Sequence, residues 1–472
     1  MVGYFSLNHF EKYNAAQAFL LGMSLWFYGF FNYSYLLIII ASILVNYLLT
    51  WYMVKTRINS LRRLAFIGAL IFNIGILFYY KYFDFFVENL NIIFHADFVL
   101  KNLLLPLGIS FFTFQQLSYV IDVYRDKNME RYNFLQYASF VAYFPQLIAG
   151  PIVTHDELVP QFGDVSKKQF NWDNFSSGLY IFVLGLAKKV LIADTFGIVA
   201  NYGFSNIASM DTTNAILVTL AYTVQIYFDF SGYCDMAIGI GKMMNIDLPV
   251  NFDSPYKSLT ILEFWKRWHK TLTRFFTKYI YIPLGGNRKG NIRTYVNVLV
   301  VFFVSGVWHG ANWTFILWGT LHGIFNVITR HWKTWFDKLH PALSWLITFT
   351  FINFTWIFFR ADTIKDSLLM INKILQLNFG PIHANIVEAF NLVEIKAVLT
   401  LLLPENIFNL YPNMLVLIAF IVVLVIMLGS KNAYERMTTF RPGLLNFILI
   451  LLLLIWCIMS FSGVSTFLYF NF

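Results

Sequence analysis

Twelve apolar windows dominate this sequence, covering residues 14–31, 33–54, 62–83, 103–120, 134–150, 176–199, 213–230, 294–308, 311–330, 342–359, 411–429 and 444–461. A helix needs about 20 apolar residues to cross a hydrocarbon layer about 30 Å thick. Inside that layer every backbone polar group must be satisfied within the protein. The windows therefore predict an all-α polytopic membrane protein with about eleven or twelve membrane-embedded helices. Composition agrees, since 58% of residues are hydrophobic and 12% charged, against about 45–50% and 25% in soluble domains.

The net charge of +9 does not point to nucleic acid, because the basic residues gather in short connectors between apolar runs. KTRINSLRR (55–63) and KNAYERMTTFR (431–441) are two of these, and the positive-inside rule puts both in the cytoplasm. Counting windows from them sets the N-terminus inside and the C-terminal STFLYFNF outside. The segment 231–293 carries ten Lys/Arg against four acids and is expected on the cytoplasmic side. Cys234 and Cys457 lie far apart with no metal or redox spacing, so no disulfide framework and no metal site is indicated. The N-terminus has no basic region followed by an apolar core and a cleavage site, which argues against a cleaved signal peptide. No fixed-period repeat or linker appears, so residues 1–472 read as one integral membrane domain.

Two places interrupt the pattern. PQLIAGPI (145–152) and the pair Lys188–Lys189 break apolar runs, and helix parity fails between them. At least one window is expected to be re-entrant or broken, which is tolerated only where protein or a cavity surrounds the backbone.

EFWKRWHKTLTRFFTKY (263–279), plotted at about 100° per residue, separates into two faces. Trp265, Trp268, His269, Leu272, Phe276 and Tyr279 fall together, with Glu263, Lys266, Arg267, Lys270, Arg274 and Lys278 opposite. This spacing predicts one amphipathic helix with a basic outer side, either lying on anionic headgroups or receiving the phosphates of a nucleotide-bearing ligand.

SGVWHGANW (305–313) puts His309 between two tryptophans after an uncharged run. A helix over 294–308 would rise only about 22 Å, leaving His309 inside the membrane, where an ionisable group marks function. A neutral imidazole there can take a proton from a hydroxyl and return it to a leaving group. The plainer alternative is a helix-end histidine bonded to a carbonyl.

YTVQIYFDFSGYCDMAIGIGKMMNIDLPVNFDSPY, EFWKRWHKTLTRFFTKYIYIPLGGNRKG and SGVWHGANWTFILWGTLHG together resemble the central signature of the membrane-bound O-acyltransferase family, about residues 222–330 here. PLGISFFTFQQLSYVIDVYR, YFPQLIAGPI and FLYFNF extend the likeness over most of the chain from about residue 100. The nearest branch is the bacterial alginate and peptidoglycan O-acetylation proteins, with the teichoic acid D-alanyl transfer protein as a cousin. The resemblance implies a ring of tilted helices with re-entrant segments around a central tunnel. It further implies a thioester donor entering from the cytoplasm, an acceptor hydroxyl from outside, and a place in the bacterial inner membrane.

By the same resemblance His309 takes the catalytic role and His269 helps position the donor or the intermediate, with an acyl-histidine as a variant. Lys266, Arg267, Lys270 and Arg274 become donor-binding candidates for acetyl-CoA, a substrate rather than a resident cofactor. His322, Asp229 and Asp235 are expected to be structural or supporting, the two carboxylates by pairing with bases. Trp308 and Trp313 read as wall, and Cys234, with no activating base in view, as structural. Tyr469 is a candidate acyl relay toward an extracytoplasmic esterase-like (SGNH-type) partner, with an aromatic-belt anchor as the simpler alternative. Two departures stand out: relatives commonly carry another helix before the 14–31 window, and often a histidine where Gln146 stands.

The expected function is transfer of acetyl from cytoplasmic acetyl-CoA to an extracytoplasmic acceptor, for O-acetylation of an envelope polysaccharide. The alternatives are carrier-protein-dependent D-alanyl-type transfer and a transporter or flippase of envelope precursors.

Overall fold

The computed structural model describes residues 1–129, 131–391, 412–461 and 467–468. Among them every regular element is a helix, as an all-α membrane chain requires. Among the described residues five helical stretches are long and apolar enough to cross a bilayer: Tyr33–Lys55, Asn59–Phe94, Thr212–Met243, Gly290–His309 and Pro341–Arg360. Other windows also form helices where expected, among them Tyr13–Phe31, Ile109–Arg125, Trp313–His331, Pro412–Gly429 and Leu444–Met459.

The chain divides into two compact units, one of Met1–Leu179 with Ala237–Pro249, the other of Tyr180–Met236 with Val250–Phe472. The first is held by polar contacts between helices. Asn46 Nδ2 donates to Gln116 Oε1 (3.0 Å) and Asn73 Nδ2 to Asn46 Oδ1 (2.6 Å). Gln116 Nε2 reaches Ser42 Oγ (2.8 Å), and the Tyr137 hydroxyl donates to Gln116 Oε1 (3.1 Å). Between lipid-facing helices the hydrophobic effect supplies little association, so such contacts, each worth about 0.6 kcal/mol, matter more than their size suggests.

PQLIAGPI behaves as its composition predicts. A four-residue helix, Phe144–Leu147, is followed by non-helical backbone to residue 154 that is buried throughout. Gln146 is also buried, and its Nε2 donates to the Phe140 carbonyl (3.1 Å).

In the second unit the Lys188–Lys189 interruption is a π-helical turn, Lys188–Ala193, between the helices Trp172–Ala187 and Asp194–Ser205. Gly185 and Gly232 allow the flanking backbones to meet: a Cβ on Gly185 would lie 2.6 Å from the Gly232 carbonyl oxygen, and one on Gly232 2.8 Å from that of Gly185. This approach brings both lysines to the Thr212–Met243 helix. Lys188 Nζ pairs with Asp235 (2.6 Å), and Lys189 Nζ bridges Asp229 and Asp194 (2.7 Å each). Asp229 and Asp235 thus hold bases, as a carboxylate taken out of water must.

Two local expectations are overturned. The amphipathic helix over 263–279 is not continuous: it is Ile261–Arg267, then Lys270–Phe276, with His269 between them in the left-handed region (φ 44°). The faces survive the break, because the six apolar-side residues are buried while Lys266 and Arg274 are exposed. The second correction concerns depth. The helix before His309 begins at Gly290, so its 20 residues rise about 30 Å, enough to cross the hydrocarbon layer, and shortness no longer argues that His309 sits inside it.

Candidate active site

His309 is the last residue of the Gly290–His309 helix, after which Gly310 turns the chain into extended backbone and the Trp313–His331 helix returns. The two helices touch at glycines. A Cβ on Gly306 would fall 2.5 Å from the Phe315 carbonyl oxygen, and one on Gly319 would strike the Phe302 carbonyl. Close backbone contact of this kind fixes neighbouring helices without flexible side chains. Gly306→Leu is accordingly expected to prise the pair apart, lowering the melting temperature in detergent through overpacking of about 1–3 kcal/mol. Acyl transfer should fall further than that, because His309 lies one turn away and small displacements of a reacting group are costly.

His309 is 3% exposed. Its centroid lies 4.8 Å from that of Trp308, 5.0 Å from Trp318 and 5.1 Å from Phe359, all near perpendicular. Trp308 also meets His269 at 6.1 Å, so one indole touches both signature imidazoles. Trp308 is buried between the two rings, whereas Trp313 is 53% exposed.

The His269 environment explains the broken helix. Asn251 caps the start of Lys270–Phe276: its carbonyl accepts the Lys270 N–H (2.9 Å), and its Oδ1 accepts the Thr271 N–H (3.3 Å) and hydroxyl (3.0 Å). First-turn N–H groups have no partner within a helix, and buried ones must find one elsewhere. Because the Thr271 N–H requires an acceptor, the Asn251 atom facing it is the oxygen, and His269 Nδ1, 3.1 Å away, is a donor. Nε2 is then the basic nitrogen. His269 is fully buried, outside the spanning helices, and burial pushes its pKa down to about 3, so the ring is neutral at ordinary pH. No motif or spacing marks Asn251, whose other side-chain atom, Nδ2, donates to Cys234 Sγ (3.4 Å). Cys234 is 1% exposed, a packed thiol.

His322 has both nitrogens engaged. Trp265 Nε1, only a donor, gives its proton to Nδ1 (3.3 Å), so Nε2 carries hydrogen toward Thr355 Oγ1 (3.0 Å), which in turn donates to the Ile352 carbonyl (2.9 Å). The ring ties three segments together, and neither nitrogen is left to accept a proton from a substrate.

Of the four bases, Arg267 is committed to Glu263 (2.9 Å) and to the Asp253 carbonyl (3.1 Å). Lys266 and Arg274 are exposed and Lys270 is half-buried. Tyr469 lies outside the described residues. Just before it, the Leu468 N–H donates to Asp229 Oδ2 (3.0 Å), and Lys189 Nζ lies 4.7 Å from the Phe467 ring centroid.

Spanning helices define a multi-pass membrane protein, and within it two buried histidines lie among aromatic side chains. The model of the MBOAT, membrane-bound O-acyltransferase, family matches residues 48–363. A peptidoglycan O-acetyltransferase of Helicobacter pylori is 45% identical over 406 residues, 80% of this chain and 77% of the relative. A probable alginate O-acetylase of Pseudomonas putida is 40% identical over 362 residues, 74% and 73% of the two chains. More distantly, a teichoic acid D-alanyltransferase of Streptococcus thermophilus is 26% identical over 253 residues, 49% and 58%. The chain belongs to the membrane-bound O-acyltransferase family and is a membrane-bound acyltransferase.

Proposed function

We propose that the protein is a transmembrane O-acetyltransferase that moves acetyl from cytoplasmic acetyl-CoA to an extracytoplasmic hydroxyl, for O-acetylation of an envelope polysaccharide of the peptidoglycan or alginate kind. The observation that carries this reading is the shared wall: Trp308 touches both His269 and His309, so two buried imidazoles border one small region. The names of the relatives at 40% and 45% identity support the acetyl group and the glycan.

In this reading His309 accepts the proton of the acceptor hydroxyl as its oxygen attacks the thioester carbonyl. The C–S bond breaks, the ester C–O bond forms, and the thiolate of CoA leaves and takes up the proton. His269, held by Asn251 with Nε2 as its basic nitrogen, positions the thioester. Lys266, Arg267, Lys270 and Arg274 offer charge to the donor's phosphates, Arg267 while also paired with Glu263. The chain sits in the bacterial inner membrane with its N-terminus cytoplasmic. On the extracytoplasmic side an esterase-like partner completes transfer to the glycan.

Purified protein given labelled acetyl-CoA and a hydroxyl acceptor is expected to release free CoA in step with acceptor acetylation. Release that requires an acyl carrier protein would favour D-alanyl-type transfer instead, the activity named for the relative at 26% identity. Uptake of intact solute without thioester consumption would overturn the reading in favour of transport.

A further inference from the structure

The second unit contains a cavity of about 730 Å³ that none of the site histidines lines. Its size falls within the range of about 300–1,000 Å³ seen for small-molecule sites. Hydrocarbon makes most of the wall: Ile418, Val422 and Ile426 of the Pro412–Gly429 helix, and Leu449 and Leu453 of the Leu444–Met459 helix. Ile418 and Val422 are also 50% and 49% exposed, so the cavity opens between two strongly apolar helices onto the surface a bilayer would cover.

One end differs. Where the Pro412–Gly429 helix stops, the lining becomes Ser430, Lys431, Asn432 and Arg436. Arg436 Nε donates to the Lys431 carbonyl (3.3 Å), which holds both cations at that end. Among the described residues neither makes an ion pair. The nearby acids serve Asn432 instead: Glu435 Oε2 accepts its N–H (3.1 Å) and Asp253 Oδ1 its side-chain amide (3.0 Å). Lys188, the third cation of the lining, is neutralised by Asp235.

A hydrocarbon cleft at bilayer depth, ending at two cations beside a helix terminus, has the layout of an amphiphile with one negative head. We infer that the protein binds an anionic phospholipid here, its acyl chain between the last two apolar helices and its phosphate at Lys431 and Arg436. The pantetheine arm of CoA fits poorly, because its amides would lie against alkyl side chains with few partners, and burying an unpaired amide is unfavourable. A free phosphate would use the two cations but none of the apolar wall, from which most binding free energy comes.

Native mass spectrometry of the delipidated full-length protein tests the assignment without reference to acyl transfer. One phosphatidylglycerol molecule should be retained at concentrations about tenfold lower than phosphatidylcholine, with neither glycerol phosphate nor acetyl-CoA displacing it. The double variant Lys431→Ala/Arg436→Ala, both on a surface connector, should lose that preference while keeping the wild-type melting temperature. Val422→Trp should reduce retention of both lipids by filling the cleft. Equal retention of the two lipids by the wild type, an unchanged preference in the double variant, or displacement by acetyl-CoA would each overturn it.

Discussion

The His309→Ala protein is expected to fold and insert, yet to transfer acetyl about 10²–10⁴-fold more slowly, the range that a positioned general base contributes. The size follows from the surroundings. Trp308, Trp318 and Phe359 enclose the ring and bring no proton acceptor of their own, while His322 has both nitrogens spent on Trp265 and Thr355. Alanine also leaves a void in this aromatic packing, so His309→Gln, which fills more of it, is the needed companion. Both variants should lose activity, with glutamine closer to wild type in melting temperature. Release of CoA from labelled acetyl-CoA, read beside a detergent melting curve, checks this. A glutamine variant retaining most activity would remove the base assignment whatever its stability. Asn251→Ala makes an informative contrast: it frees the His269 ring and uncaps the Lys270–Phe276 helix without touching His309, so it should act mainly on the KM for the donor.

The helices were legible because alkyl runs of spanning length have few other uses, and windows such as 33–54 and 342–359 match Tyr33–Lys55 and Pro341–Arg360 to within about a residue or two. The start of the helix leading to His309 was missed for a physical reason. Gly290, Asn291 and Arg293 look like a loop to any hydropathy window, yet the first turn of a membrane helix can sit among headgroups and be polar. The break at His269 was invisible for a different reason. Period analysis assumes that local spacing decides, whereas the cap that splits the helix comes from Asn251, 18 residues upstream, and asparagine carries no signal until the fold brings it near. Function was legible mainly through motif likeness. Residue chemistry alone identified two costly imidazoles and their aromatic setting, and left open what they act upon.

The second large effect is expected at Lys189, which with Lys188 marks a break in an apolar run of the sequence. Its ammonium, with a side chain 3% exposed, bridges carboxylates at 6% and 2%. Lys189→Ala therefore strands Asp194 and Asp229 away from water. Breaking a buried ion pair by removing one partner costs about 3–5 kcal/mol, a large part of the roughly 5–15 kcal/mol that holds a typical folded protein together, so the variant should be recovered poorly and melt far below wild type. Asp229→Asn should be much milder, since an amide oxygen can still accept the Leu468 N–H and Lys189 keeps Asp194. Adding Asp194→Asn and Asp229→Asn to Lys189→Met should recover much of the lost stability, because no formal charge then stays buried at the cluster. Fluorescence-detected size-exclusion melting of the variants separates these cases. If Lys189→Ala melts with wild type, the cluster is hydrated in the membrane and its charges do not hold the Lys188–Ala193 turn to the Thr212–Met243 helix.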